Sequence, residues 1–167
     1  MEKGNVIVYY GTGKGKTSAA LGYGLRAAAI GKQVTVIQFL KEKIDLEYFK
    51  RLEPEVMFFR FARCEECFED LPKEQLEEEI FNIKNGMHYA KKVLMVEDCN
   101  VLILDELLGL LDYSIVTMDD IRDIIAAKPA GVDLVFTGTK LDPALRELAD
   151  EIYNIGKEKG DAETQAY

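Results

Sequence analysis

The residues best suited to chemistry begin at Gly11-Thr12-Gly13-Lys14-Gly15-Lys16-Thr17, a glycine-and-lysine stretch followed by Ser18. Glycines at alternate positions let a backbone aim successive N–H groups at one point, which makes an anion nest at a helix N-terminus. Lys16 adds a point charge to that nest, and the Thr17 hydroxyl is placed to bind Mg²⁺ on a phosphate chain. The pattern G-x-x-x-x-G-K-[ST] asks for glycine at position 10, where this chain has Tyr10. A side chain there removes backbone freedom, so the loop is expected to hold its phosphates in an unusual pose.

A second reactive group follows the aliphatic run Val101–Leu104, which ends in Asp105-Glu106. Carboxylates leaving the C-terminal end of a buried strand beside a phosphate loop can hold Mg²⁺ directly or through water. Alternatively, the pair simply opens the next helix, where negative charge suits the dipole. Thr139-Lys140-Leu141-Asp142 has the shape of a guanine-reading [NT]-K-x-D segment. A DxxG element is lacking, because Asp105 and Gly109 are one residue too far apart, and a turn with a helix cap is the simpler reading. Cys64-x-x-Cys67 has Cys99 and His88 as further candidate ligands. Zinc sites usually show a second close pair, so a loop with two thiols is expected. His88 is expected on a helix surface, Glu77-Glu78-Glu79 as a solvated helix face, and Tyr9, Tyr10, Phe58, Phe59 and Phe61 as core.

Alternating elements must carry these groups. Asn5–Tyr10 is a short β-branched run halted by glycines, and Thr17–Ile30 is an Ala- and Leu-rich helix stopped at Gly31. Gln33–Phe39, Val56–Phe61, Val101–Leu104 and Val132–Thr137 read as strands, and Asp45–Leu52 as a short helix ended by Glu53-Pro54. Lys73–Val96 keeps helical spacing at Leu76, Ile80, Ile83, Met87, Ala90 and Leu94, with Gly86 weakening its middle. Thr117 caps a helix over Met118–Ala127, and Pro143 opens another to Ala149. Such alternation predicts a single α/β domain, a mostly parallel sheet with helices on both faces, over residues 1–155. Residues 156–167 read as a polar tail.

Composition narrows the function classes. The 167 residues carry a net charge of −9 and are 48% apolar, enough to build a core without a structural metal. An acidic chain lacks the clustered Lys and Arg that nucleic-acid binding needs. Three cysteines are too few for a disulfide framework and point to a reducing cytoplasm. The start, Met-Glu-Lys-Gly-Asn, lacks a signal-peptide layout, and no apolar run reaches the length of a membrane span.

The residues then resemble a known family. Val8–Ala20, Leu25-Arg26-Ala27-Ala28, Gly31-Lys32, Val36-Ile37-Gln38-Phe39-Leu40-Lys41, Leu104-Asp105-Glu106-Leu107, Lys128-Pro129-Ala130-Gly131, Phe136-Thr137-Gly138 and Leu148-Ala149-Asp150 together resemble the cob(I)alamin, or corrinoid, adenosyltransferases. The resemblance implies a RecA-like P-loop NTPase fold and a homodimer using ATP with Mg²⁺, in which the Co(I) of a reduced corrinoid (cobalamin or cobyrinic acid diamide) attacks C5′ of ATP. Triphosphate leaves, and a reductase supplies Co(I). By the same resemblance, Gly11, Thr12, Gly13, Lys14, Gly15, Lys16, Thr17 and Ser18 hold the nucleotide, and Arg26, Gln38 and Lys41 contact it. Lys16, Thr17 and Glu106 serve the reaction, and Thr17, Asp105 and Glu106 serve the metal. Rival readings are a P-loop ATPase or GTPase cleaving at the γ-phosphate, and a nucleotide-binding regulatory protein without corrinoid activity. The chain departs from the family pattern with Thr12 in place of asparagine, Thr139 in place of arginine, and an acidic Arg63–Phe68 segment in place of an aromatic one.

Overall fold

A computed structural model describes residues 3–40, 47–62, 68–96 and 98–160. Its strands are β1 (Val6–Tyr10), β2 (Val34–Gln38), β3 (Val56–Arg60), β4 (Val101–Asp105), β5 (Asp133–Gly138) and β6 (Glu151–Asn154). Its helices are α1 (Lys16–Ala28), α2 (Lys73–Met95), α3 (Leu107–Asp112), α4 (Met118–Ala127) and α5 (Pro143–Leu148). The strands form one sheet in the order β3-β2-β4-β5-β1-β6, and every pairing in it is parallel.

Parallel strands covered on both faces must be apolar on both, which explains the largely apolar runs of β1, β2, β4 and β5. Alternate residues divide the core. Ile7, Val34, Val36, Val101, Ile103 and Val135 face α1 through Ala20 and Ala27. On the other face Val8, Ile37, Leu102, Leu104 and Phe136 meet Ile83, Met87, Ala90 and Leu94 of α2, together with Leu107, Ile121 and Leu145 of the later helices. Burying the sheet on two sides fixes the level at which every strand ends, and the reactive residues sit at those ends.

Most expected elements are present within a residue or two, and the differences have physical causes. The helix expected over Asp45–Leu52 is a 3₁₀ turn at Phe49–Leu52, with residues 45–46 outside the described set. Gly86 does not interrupt α2. Its missing Cβ makes room for Phe39 and Phe61, whose atoms lie 2.7 Å from where that Cβ would be. Glu77 and Glu78 are exposed, but Glu79 is buried, because it lies one turn before Ile83 on the face that meets the sheet. Two elements carry no strong sequence signal, α3 after the acidic pair and the edge strand β6. The latter is four residues long and pairs with β1 from Ile7↔Glu151 to Tyr10↔Asn154. Tyr9, Tyr10, Phe58, Phe59 and Phe61 are half-buried and pack against the two core clusters, and His88 is exposed on α2. Burial pushes the Cys99 thiol up to about 11. The Cys64 and Cys67 pair lies outside the described residues.

Candidate functional site

The loop leaves β1 at Tyr10 and enters α1 at Lys16. Gly11 takes φ 129° and Gly15 φ 105°, a left-handed backbone that glycine adopts without steric cost. A Cβ on Gly11 would stand 2.3 Å from the Ile155 carbonyl oxygen, and one on Gly13 2.8 Å from it. The chain just after β6 therefore forms a wall behind the loop. Two loop amides are spent on that wall and on the neighbouring strand. The Gly13 N–H donates to Ile155 O at 2.8 Å, and the Gly11 N–H is shared between Gly138 O at 3.2 Å and Thr139 O at 3.1 Å. The expected cradle thus shifts toward the helix start. There the first internal bond of α1 is made by the Ala19 N–H to Gly15 O, and first-turn amides have no acceptor one turn behind them.

Lys16 folds its ammonium over the loop and donates to Gly13 O at 3.0 Å, so its charge lies within the loop. Thr17, one residue on, points at the sheet. Its Oγ1 donates to Asp105, 2.9 Å from Oδ1 and 3.1 Å from Oδ2. Thr12, Lys14 and Ser18 are exposed at the surface of the same turn.

Asp105 ends β4 and is 1% exposed. Gln38, its register partner on β2, donates Nε2 to Oδ2 at 2.8 Å. Thr137 on β5 donates its hydroxyl to Oδ1 at 2.6 Å. Sequence spacing puts Gln38, Asp105 and Thr137 on the α1 face of three neighbouring strands. Among the described residues all the donors to this buried carboxylate are neutral, and no lysine or arginine pairs with it. A buried charge without a counter-charge is costly, and the deficit is one a cation would fill.

Glu106 follows with φ 62° and ψ 23°, a left-handed conformation at a non-glycine residue. Its N–H donates to Thr137 Oγ1 at 2.8 Å, and it serves as the cap from which α3 departs. The simpler reading of the pair, a helix start, is thus true of Glu106, and Asp105 is the buried partner of Thr17. The donor set of Thr17 hydroxyl, Asp105 and Glu106 carboxylates is all hard oxygen, the chemistry that suits Mg²⁺. Gln38 Oε1 is buried and, among the described residues, without a hydrogen-bond donor, a further acceptor at the same strand ends.

Several expected contacts fall elsewhere. Arg26 is exposed in the last turn of α1, ten residues beyond Lys16 and so about 15 Å along the helix from it. The structure does not bring it to the loop of its own chain. Gln38 is bound to Asp105 and is thereby part of the acidic cluster. Lys41 lies outside the described residues. Asp142 caps α5 by accepting from the Ala144 N–H at 2.7 Å, so the Thr139–Asp142 segment is a turn and cap. Thr137 was not singled out by sequence, although it lies inside the Phe136-Thr137-Gly138 segment; a buried hydroxyl ending a strand beside the acidic strand was the available signal. Tyr10, in the place of the first glycine, hydrogen-bonds Asn154 and Arg146, which holds its hydroxyl below the ordinary tyrosine range.

A glycine-lysine loop between strand and helix, with a threonine seated on an acidic strand end one strand removed, defines a P-loop nucleotide-binding α/β protein. A KaiC-like protein from Pyrococcus horikoshii shares this fold, with a TM-score of 0.61 over 96% of this chain and 76% of that one at 18% identity. Residues 2–166 match the family described as ATP:corrinoid adenosyltransferase BtuR/CobO/CobP, and the chain belongs to that family. A corrinoid adenosyltransferase of Escherichia coli K12 is 28% identical over 154 residues, 92% of this chain and 77% of that protein. One from Pseudomonas aeruginosa is 30% identical over 153 residues, 90% of this chain and 74% of that protein.

Proposed function

We propose that this chain transfers the 5′-deoxyadenosyl group of ATP to the Co(I) of a reduced corrinoid and releases triphosphate. The observation that supports it most directly is Thr17 seated 2.9 Å from Asp105 below the glycine-lysine loop, in a member of this family. The electron pair of Co(I) forms the bond to C5′, the C5′–O bond breaks, and its electrons leave on triphosphate. Cobalt is thereby oxidised by two electrons. No proton moves at the reacting atoms, so no general base is needed, and the protein's share is positioning and charge stabilisation.

The residues divide that work. Lys16 and the amides at the start of α1 would hold the triphosphate, where negative charge gathers as the bond breaks. Thr17, Asp105 and Glu106 would hold Mg²⁺. When bound, that ion supplies positive charge to the leaving group. Tyr10 and the amide bonds of Gly11 and Gly13 stiffen the β1 side of the loop, so phosphates are expected to lie against its helix side. Lys41 remains a candidate nucleotide contact. The reading carries with it a nucleotide-binding domain over residues 1–155 with a polar tail, a homodimer, a cytoplasmic setting and a reductase that supplies Co(I). Among the described residues no helix is long and apolar enough to cross a membrane.

The test is anaerobic incubation with Mg·ATP and a chemically reduced corrinoid. Triphosphate together with a light-sensitive alkyl-cobalt spectrum is the expected result. ADP and phosphate formed regardless of corrinoid, or nucleotide binding without turnover, would overturn the proposal.

A further inference from the structure

One oxygen atom in the site makes contact with both acidic residues. Thr137 Oγ1 donates its single proton to Asp105 Oδ1 at 2.6 Å and accepts from the Glu106 N–H at 2.8 Å. The side chain is 0% exposed, so water does not compete for either bond. A hydroxyl has one proton and two lone pairs. With the proton committed to Asp105, a lone pair faces the Glu106 amide, and the two bonds fix each other's direction.

The geometry points to Thr137 as the positioning residue that sets Asp105 and Glu106 together for Mg²⁺, an inference that rests on the reading given under Proposed function. In an extended strand consecutive side chains point to opposite faces, so two carboxylates in sequence cannot serve one ion without a break in the alternation. Glu106 supplies the break by adopting φ 62°, a left-handed conformation that is strained for a non-glycine residue. The bond from its N–H to Thr137 holds the residue in that state. Its Oε2 lies 3.5 Å from where a Cβ on Gly109 would be, which places the carboxylate over the first turn of α3. The other Asp105 oxygen is held from the opposite strand by Gln38 at 2.8 Å. Both supports are neutral, so they fix the carboxylate's direction and leave its charge for the cation. Thr137 acts in this arrangement through its two neighbours, Asp105 and Glu106.

Calorimetric titration of ATP, in Mg²⁺ and in EDTA, compares the parent protein with Thr137→Val and Thr137→Ser. Valine keeps the shape and removes both bonds, whereas serine keeps both. The parent is expected to bind ATP more tightly with Mg²⁺ than without. In Thr137→Val that enhancement should fall about tenfold or more, the range typical when a metal ligand loses its support, while affinity in EDTA changes less than about twofold. Thr137→Ser should restore the enhancement, and the Mg²⁺ concentration giving half-maximal transfer should follow the same order. A Thr137→Val protein with the parent's full enhancement would overturn the inference, as would equal losses with and without Mg²⁺ that serine fails to repair. A parent protein indifferent to Mg²⁺ would overturn both this inference and the reading beneath it. If valine prevents folding, Thr137→Ala is read by the same criteria.

Discussion

The two ends of the sheet use their polar side chains in different ways. At the end where the strands begin, Asp133, Asp150 and Lys128 are each tied to backbone, and the two aspartates also have side-chain partners, Tyr23 and Lys3. Asp133 accepts from the Asn5 N–H and the Tyr23 hydroxyl, both at 2.8 Å, and Asp150 accepts from the Val6 N–H at 2.8 Å. The Lys128 ammonium donates to Gly4 O at 2.7 Å, Val132 O at 2.9 Å and Pro129 O at 3.4 Å. At the end where the strands finish, side chains converge on another side chain, Thr17, Gln38 and Thr137 on Asp105, while Lys16 donates to the Gly13 carbonyl of its own loop. Backbone ties close the first end, because the carbonyls and amides they satisfy cannot leave. Side-chain ties leave the second end, among the described residues, with a carboxylate that has no cationic partner and a buried acceptor, Gln38 Oε1, that has no donor. The first end fastens the chain's own backbone, and the second gathers side chains beside the loop proposed to bind nucleotide.

Substitutions at the two ends should therefore separate stability from binding. The largest effect is expected for Lys16→Ala, which removes the loop's cation. Its Tm without ligand should stay near the parent's, since the ammonium bonds only one loop carbonyl, but the rise in Tm produced by saturating Mg·ATP should be abolished. An unchanged ATP-induced shift would erase the distinction between the ends. Next comes Lys128→Met, which strips three carbonyls of a charged donor. Hydrogen bonds to charged groups contribute about 1.5–3 kcal/mol each at most, and rehydration of exposed carbonyls lowers this, so a loss of roughly 2 kcal/mol is expected. Denaturant unfolding measures that loss, and calorimetry should find ATP affinity within about twofold of the parent's. A large drop in affinity at unchanged stability would show that the far end reaches the site.

The first end was also the harder one to read in the sequence. The loop was legible because glycine, lysine and threonine at fixed spacing have few other uses, and Asp105 because an aliphatic strand delivers it to the same edge. The central strands were legible from their runs of Val, Ile and Leu, which only a sheet covered on both faces requires. What could not be read was whatever depends on neighbours distant in the chain. Glu151–Asn154 is polar and short, and becomes a strand because β1 offers an open edge. Thr137 becomes part of the site because β5 lies beside β4. Gln38 was expected to contact nucleotide from the family resemblance alone, and the register sets it opposite Asp105, to which its amide donates. Arg26 shares the helix of Thr17, but at the wrong end of it. The Gly11 and Gly13 amides looked available until β6 and β5 supplied their acceptors. Local spacing picked out the candidate residues, and strand order decided which of them meet.

The smallest effect sharpens the comparison through pH. Asp150 belongs to the first end, and its bond from the Val6 N–H, aided by Lys3, holds its carboxyl below the ordinary aspartate value. A carboxylate whose pKa is lower folded than unfolded contributes stability above its unfolded value, near 4, and loses that contribution as the pH falls through its folded value. Asp150→Ala should therefore cost about 1 kcal/mol at pH 6–7, because the Val6 amide loses its acceptor at a partly exposed position. The difference in Tm between parent and variant should shrink steadily below about pH 4, as protonation removes the same bond from the parent. Above pH 6 ATP affinity should be equal in the two proteins. A Tm difference that instead grew on acidification would mean that Asp150 stabilises the fold in its protonated form. The backbone ties at the start of the sheet would then need another explanation.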